Sequence, residues 1–599
     1  MTTKMTTAIF FAVFFLSVIS LWGTEYYVDS EFGNDTNIGT TPATAWKSLK
    51  AVNNADIKPG DSVRFKRGGH WRGQLVPQSG EEERPVVYTS YGDFDNEKPK
   101  LLGSVPLNKS TDWIDEGNYL WSTRPDTVHA GNIVSQFTEL VWGLHREGEA
   151  KAERKIVAPP SKYAGKKEYQ IVCFATGAAP NHIQFIVAGF PVEAEKYYLL
   201  RFAAKTTKPF PITTAAFSEP ASPWTGLGSA IQLPVEIGTE WAEQEILFCC
   251  KTDHPNARFT ISLGQVLPQD SVFSFIPIEL REATVESNGI NTDVGNIILD
   301  GNKAGFKKWT REDLKIQNDF WYEMKTNRVF FFSNENPATL YKNIEAALHR
   351  HIVSHNCSRY VHFIDLDLRY GAAHGLGGTK AEHCVYRDLD ISWIGGADQY
   401  REGGQGRRVR FGNGIEFWSD AADCLVEHCR LWEIYDAALT NQGNGVNQQR
   451  NIVYRNNIIW NCEYSFEYWN RGPESVTDHI LFENNSCFNA GFGWGHVQRP
   501  DKNGRHLMVY VNSAKTENFI IRNNLFCKAT ESCVRFDADF RNGLTMDNNI
   551  YWQETDKPVF QWFKERYGVD RFTDYQNEIG LDKNSKLQKM DPKKFIEQK

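Results

Sequence analysis

The chain has 599 residues, a formal net charge of −8 and 13% aromatic residues, including 18 Trp and 23 Tyr. An acidic balance without a basic block argues against nucleic acid and against an anionic membrane surface, whereas many rings in a polar chain suit stacking on sugars. The length exceeds an ordinary domain, so several folding units or one long repetitive core is expected.

In chain order, Lys4 precedes the apolar run AIFFAVFFLSVISLW and Gly23 supplies a small residue before EYYVD. Residues 1–23 therefore read as a secretory signal peptide, too short for an obvious membrane anchor, which implies a secreted or periplasmic protein. Eleven Cys is an odd count, so at least one thiol stays unpaired. Residues 24–128 carry short strands between Gly, Asn and Asp turns (YYVDSEFGNDTN, GDSVRFKRGGHWRGQL), as a cap and opening coils would.

Over 129–287 the periodicity lengthens. EYQIVCFATG, KYYLLRFAAKTT, TEWAEQEILFCCKTD and VFSFIPIELREA read as longer strands of an inserted β-sandwich. This segment resembles jelly-roll carbohydrate-binding modules through its Tyr-rich strand and the Trp241 strand. A structural sandwich without a sugar site is the competing reading.

From 288 to 555 the reading is one solenoid, resuming at NIILDGN. An Asn-Asn-apolar signature returns at RNNII (Arg455 to Ile459), ENNS (Glu483 to Ser486), RNNLF (Arg522 to Phe526) and DNNI (Asp547 to Ile550). Repeated turns between short alternating strands indicate stacked coils, with Asn adopting the left-handed conformation and its amide bonding the same atom one coil on. The expected fold class is thus all-β, a right-handed parallel β-helix with an inserted sandwich. Cys384, Cys429, Cys462, Cys487 and Cys527 are expected at matching buried places, since zinc-type CxxC spacings are absent. Residues 556–599 are expected to cap the open end.

Aligning the coils on a small-then-apolar pair (Gly375-Leu376, Gly414-Ile415, Ala438-Leu439, Ser465-Phe466, Gly491-Phe492, Cys533-Val534) gives two outward columns. The first reads Gly377, Glu416, Thr440, Glu467, Gly493, Arg535; the second reads Thr379, Trp418, Gln442, Trp469, Gly495, Asp537. Glu416 and Glu467 then lie two coils apart, on the order of 10 Å between backbones, with Asp436 between them. Paired carboxyls are what glycosidic hydrolysis needs, so Asp436 and Glu467 are the expected catalytic pair and Glu416 the third carboxylate that tunes them. Trp418, Trp469 and Trp494 are candidate stacking floors. Thr440, Asn441, Gln442, Asn470 and His496 are candidate hydroxyl partners, and Arg471, Arg499, Arg535 and Asp537 complete the binding set. An outward Glu-Arg-Trp network that only covers the solenoid flank is the competing reading.

The opening YYVD, Gly-Asn-Asp turn and Pro-x-x-x-Trp-x-Ser-Leu segment resembles the first coil of bacterial parallel β-helix carbohydrate-active enzymes, the pectate-lyase-like solenoids. FGNGIEFW, IYDAALTNQG, CEYSFEYWNR and GWGHVQRPD look most like glycoside hydrolase family 141, whose activities include α-L-fucosidase and xylanase. The resemblance implies a secreted glycosidase acting on a fucose- or xylose-containing polysaccharide, sulfated and pectic forms included, without an obligatory cofactor.

The rival is a polysaccharide lyase that abstracts a proton beside a uronate carboxylate. Lys380 is the one lysine from Cys357 to Pro500, which leaves an arginine base among Arg407, Arg408, Arg410, Arg471 and Arg499. Calcium at Asp365/Asp367 and Asp388/Asp390 belongs to that alternative, against a simpler role in turns and strand edges. A non-catalytic glycan-binding protein is the third reading. The loop ADQYREGGQGRRVRFGN is read as a wall over the cleft, with a plain connector as its alternative. Dinucleotide, Walker, HExxH and nucleophile-elbow motifs are absent.

Overall fold

The computed structural model describes residues 23–231, 233–399 and 408–596. Residues 1–22 of the expected signal peptide 1–23 and loop residues 400–407, Arg407 among them, lie outside the described residues. Among the described residues no helix is long and apolar enough to cross a membrane. The chain divides into two compact units, Pro125–Asn288 and the remainder.

The larger unit is built on three sheets whose strands follow one another in rotation. In one circuit the chain passes through Ala422–Glu427, Arg430–Ile434 and Ala437–Gly443, and the next circuit lays Gln448–Arg455, Ile458–Trp460 and Tyr464–Asn470 beside them in parallel register. A continuous apolar core runs from Val28 to Leu581 because each circuit turns the same alternate residues inward.

The Asn pairs hold the turns. The first member of each, Asn456, Asn484, Asn523 and Asn548, has φ of 56–57°, a left-handed conformation that Asn tolerates. The second members, Asn457, Asn485, Asn524 and Asn549, are fully buried and form a ladder. The backbone N–H of Asn457, Asn485 and Asn524 donates to the next Oδ1 at 3.0, 2.9 and 3.0 Å. Their Nδ2 groups reach the same atoms at 2.9, 3.2 and 3.1 Å. The ladder ends where Asn549 Nδ2 donates to the buried Asp582 at 3.1 Å.

Three expectations are corrected. Parallel pairing does not resume at 288: Val294–Leu299 pairs antiparallel with Ile344–Leu348, and Asp319–Glu323 with Arg328–Phe332, so the coils return only at Val353. Alternating apolar residues look the same in hairpins and in coils, and only the pairing partner distinguishes them. At the other end the coils run past 555, since Phe560–Trp562 pairs parallel with Ser532–Phe536 and Lys586–Leu587 with Ile550–Trp552. The helix Phe572–Ile579 buries Phe572 and Tyr575 there. The five cysteines are buried, yet they form no single column, for Cys487 pairs with Ile459 and Phe526 while Cys527 pairs with Phe488 and Trp552.

The smaller unit is antiparallel. Its eleven-stranded sheet contains Glu168–Ala175, Tyr197–Thr206, Ala242–Cys250 and Ser271–Glu286. Their inward residues meet Trp142, Phe185, Phe217, Phe259 and Phe275 in a separate aromatic core.

Candidate active site

The third sheet positions the acids. Parallel register places Glu416 beside Thr440 and Thr440 beside Glu467, so both glutamates share one face with a single strand between them. Leu439 and Phe466, one residue earlier, fill the core and fix that orientation. Asp436 sits just before the middle strand, its carbonyl accepting from the Tyr464 N–H at 3.2 Å.

Two of these carboxyls, Asp436 and Glu467, share one closely placed cation. Arg499 donates to Asp436 Oδ1 at 3.0 Å and to the Tyr435 carbonyl at 3.0 Å, with its guanidinium 5.0 Å over the Tyr435 ring. Burial raises the Asp436 carboxyl above its ordinary value, and Arg499 offsets only part of that rise. Glu467 is held well above the usual carboxylate range, first by burial and then by the charge of Asp436. Burial opposes the charge of Arg499, but Asp436, Tyr464, Tyr435 and Glu463 together more than restore it. One guanidinium cannot neutralise both of these buried acids, so the arrangement favours Asp436, which Arg499 contacts directly, as the ionised group and Glu467 as the protonated one.

Glu416 is pushed up to about 8, chiefly by burial. His374 Nδ1 accepts the Asn413 backbone N–H at 2.9 Å, so Nε2 carries the proton and faces Glu416 Oε2 at 3.0 Å. Burial holds His374 neutral, and the contact is a hydrogen bond between uncharged groups. A carboxyl raised above its ordinary 4.5 gives stability that is complete below that value and lost as pH rises through about 8. Glu416→Gln therefore flattens the fall in thermal midpoint between pH 5 and 9. Parallel midpoint-against-pH curves for the two proteins would contradict this.

Around the acids, Trp469 Nε1–H donates to Glu467 Oε1 at 3.1 Å, Trp418 meets Trp469 edge-on at 5.3 Å, and Arg471 lies 4.7 Å over the Trp469 ring. Gln442 lies in register between the two indoles.

Other expected residues fall elsewhere. The outward columns continue through Met508 and Tyr510, replacing Gly493 and Gly495, because the strand after Tyr464–Asn470 is Arg505–Val509. The small position of that coil holds His506, which is buried against Ser465 Oγ at 3.0 Å and thus escapes a search for small residues. Gly491-Phe492 begins an excursion that carries the short helix Trp494–Gln498.

Trp494 is accordingly no stacking floor: it is buried against Tyr435 at 5.4 Å and its indole donates to the Glu433 carbonyl. His496 Nδ1 lies 2.9 Å from Glu463. Asn441 and Asn470 point inward and are fully buried, bonded to Gln449 and Tyr454 and to Asn447 and Thr477 respectively. Thr440 is fully buried between the glutamates. Arg535 is met by Asp537 at 2.7 Å.

Sequence reasoning missed Glu463, Tyr464, Tyr510, His374 and Asn413. Glu463 is buried, accepts the Asn503 N–H at 2.6 Å and adds negative charge near Asp436. Tyr464 and Tyr510 join hydroxyls at 2.9 Å beside the acids. Tyr464 pairs in register with Ala437, and following that register would have found it.

Three of the four acids of the lyase alternative are met by cations. Asp365 bonds Arg67, Asp367 bonds Arg369 at 2.7 Å, and Asp390 bonds Arg430. Among the described residues no group of three or more His, Cys, Asp or Glu is placed to hold a metal ion. Lys380 is exposed.

No family model matches the chain. A stretch of 87 residues is 40% identical to a lacto-N-biosidase of Bifidobacterium longum subsp. longum, covering 14% of this chain and 5% of that protein. Another of 62 residues is 34% identical to an alpha-1,3-galactosidase A of Akkermansia muciniphila, covering 10% of each. The chain thus spans about a tenth or less of the curated relatives it matches. Among solved structures, a glycoside hydrolase aligns over 90% of this chain and 96% of its own, at 11% identity and a TM-score of 0.32. A GH136 lacto-N-biosidase from Eubacterium ramulus aligns over 95% and 68%, at 10% identity and 0.30.

Proposed function

We propose that the protein is a secreted or periplasmic glycoside hydrolase, that its three parallel sheets form a right-handed β-helix, and that Asp436 and Glu467 carry the chemistry. The observation that supports it most is the clustering of three buried carboxyls, two of which share the guanidinium of Arg499, beside two indoles. Such crowding costs stability and is characteristic of sites that hold one carboxyl protonated and another ionised. Glu467 then protonates the glycosidic oxygen, while Asp436 attacks the anomeric carbon or activates water. Glu416, fixed by His374, keeps that division by staying uncharged. Trp418 and Trp469 supply a stacking edge for the sugar, and the Pro125–Asn288 unit serves as a carbohydrate-binding module.

The two curated relatives bear glycosidase names, which agrees with this reading. The substrate class is a complex glycan containing fucose, xylose or galactose. The test is incubation of the full-length secreted protein with fucans, xylans, pectins and galactose-containing oligosaccharides, following reducing ends and absorbance near 235 nm together. New reducing ends with a flat ultraviolet trace are expected; a rising trace marks β-elimination and the lyase.

A further inference from the structure

A cavity of about 290 Å3 reaches Asp436 through Arg499 and is lined by Trp309, Arg408, Arg410, Gln498, Arg499 and one acid, Asp501. Arg499, which clamps Asp436, forms part of its wall and joins it to the acids. Other cations of this wall have acidic partners: Lys307 pairs with Asp293 at 2.6 Å and Arg408 with Asp398 at 2.8 Å.

Arg410 differs. Its guanidinium donates to the carbonyls of Gly396 and Gly295 at 2.7 and 2.9 Å and to Gln498 Oε1 at 2.8 Å. No carboxylate lies within 4.0 Å of it among the described residues. A buried cation is costly unless a counter-charge meets it, and the faces of Tyr435 and Trp494 at 4.8 and 5.7 Å, with the more distant charges of Asp293 and Asp398 that Lys307 and Arg408 already engage, offset part of that. Arg499, which is itself buried, leaves its Nε without a hydrogen bond, with Asp501 and Glu463 at 3.7 and 3.9 Å. Trp309 adds an aromatic ring beneath Arg408 at 4.8 Å. The cavity thus combines a guanidinium with no carboxylate in direct contact, a buried N–H whose nearest carboxylates lie beyond hydrogen-bond distance, and a ring.

We propose that this cavity is a subsite for a sugar unit carrying an anionic substituent, a carboxylate or a sulfate, adjoining the bond cleaved at Asp436 and Glu467. The adjoining bond rests on the hydrolase reading; the binding does not. Planar guanidinium groups match both anions bidentately. The subsite adds affinity for an acidic residue in an otherwise neutral glycan.

The test is calorimetric titration of the full chain with glucuronate, glucose 6-sulfate and glucose. Either anionic sugar should bind at least tenfold more tightly than glucose, and whichever of the two binds names the substituent. Gln498→Glu places a carboxylate at the atom that Arg410 already meets and should abolish that preference, whereas Gln498→Met should retain it. Equal affinity for all three sugars, no binding of either anionic sugar, or an unchanged preference in a folded Gln498→Glu protein overturns the proposal. A protein that binds the anionic sugar and cleaves no glycan would sink the hydrolase reading and leave the subsite standing.

Discussion

Glu467→Gln lowers kcat on natural glycans by about three orders of magnitude, the range expected when a positioned general acid is removed. The amide keeps the shape of the side chain and its contact with the Trp469 indole, so the loss reports the proton and not the fold. Glycosides with a strongly activated aryl leaving group, which depart without protonation, lose far less in the bond-breaking step. The variant is also at least as stable as the parent at neutral pH. Glu467 is held well above its ordinary value by burial and by Asp436, so its stabilising effect is complete only below pH 4.5 and is lost as pH rises. Equal losses on natural and activated substrates would contradict the acid role, and a lower thermal midpoint at pH 7 would contradict the electrostatic account.

Asn485→Ala produces the largest expected loss of stability. It removes the acceptor of the Asn457 N–H and Nδ2 groups and the donor to the Tyr454 carbonyl, all of them buried. At about 1–3 kcal/mol for each orphaned group, the cost is on the order of 4 kcal/mol. Differential scanning calorimetry should show the midpoint falling by several degrees, with faster hydrogen exchange in the coils on either side. Asn484→Gly, one residue earlier at φ 56°, should change the midpoint little because glycine adopts that conformation freely. Equal shifts for the two substitutions would mean that the ladder contributes nothing beyond the turn.

The coils were legible because their turns repeat: each Asn pair places one residue in the left-handed region and one in the ladder, and no other residue serves both needs as well. The carboxyl face was legible for the same reason as far as Glu467, since Ile415, Leu439 and Phe466 repeat the inward pattern. One coil further the pattern failed, where His506 takes the place of a small residue and the chain first makes its excursion through Trp494–Gln498. Arg499 returns from that excursion to Asp436, a contact that depends on the path of an irregular loop and not on any period. Glu463 and His374 were hidden differently. They act through partners distant in the chain, Asn503 and Glu416, so spacing alone does not pair them. The hairpins of Val294–Leu348 have the alternation of coils and differ only in which strand lies alongside.

The central claim is hydrolysis at the carboxyl face, and digestion in water enriched in oxygen-18 tests it most directly. Mass spectrometry of the new reducing ends should show one heavy oxygen per bond cleaved, gained at rates that fall together with turnover in Glu467→Gln. Products that carry no label and are lighter than the hydrolysed sugar by one water would show elimination, and would contradict the account.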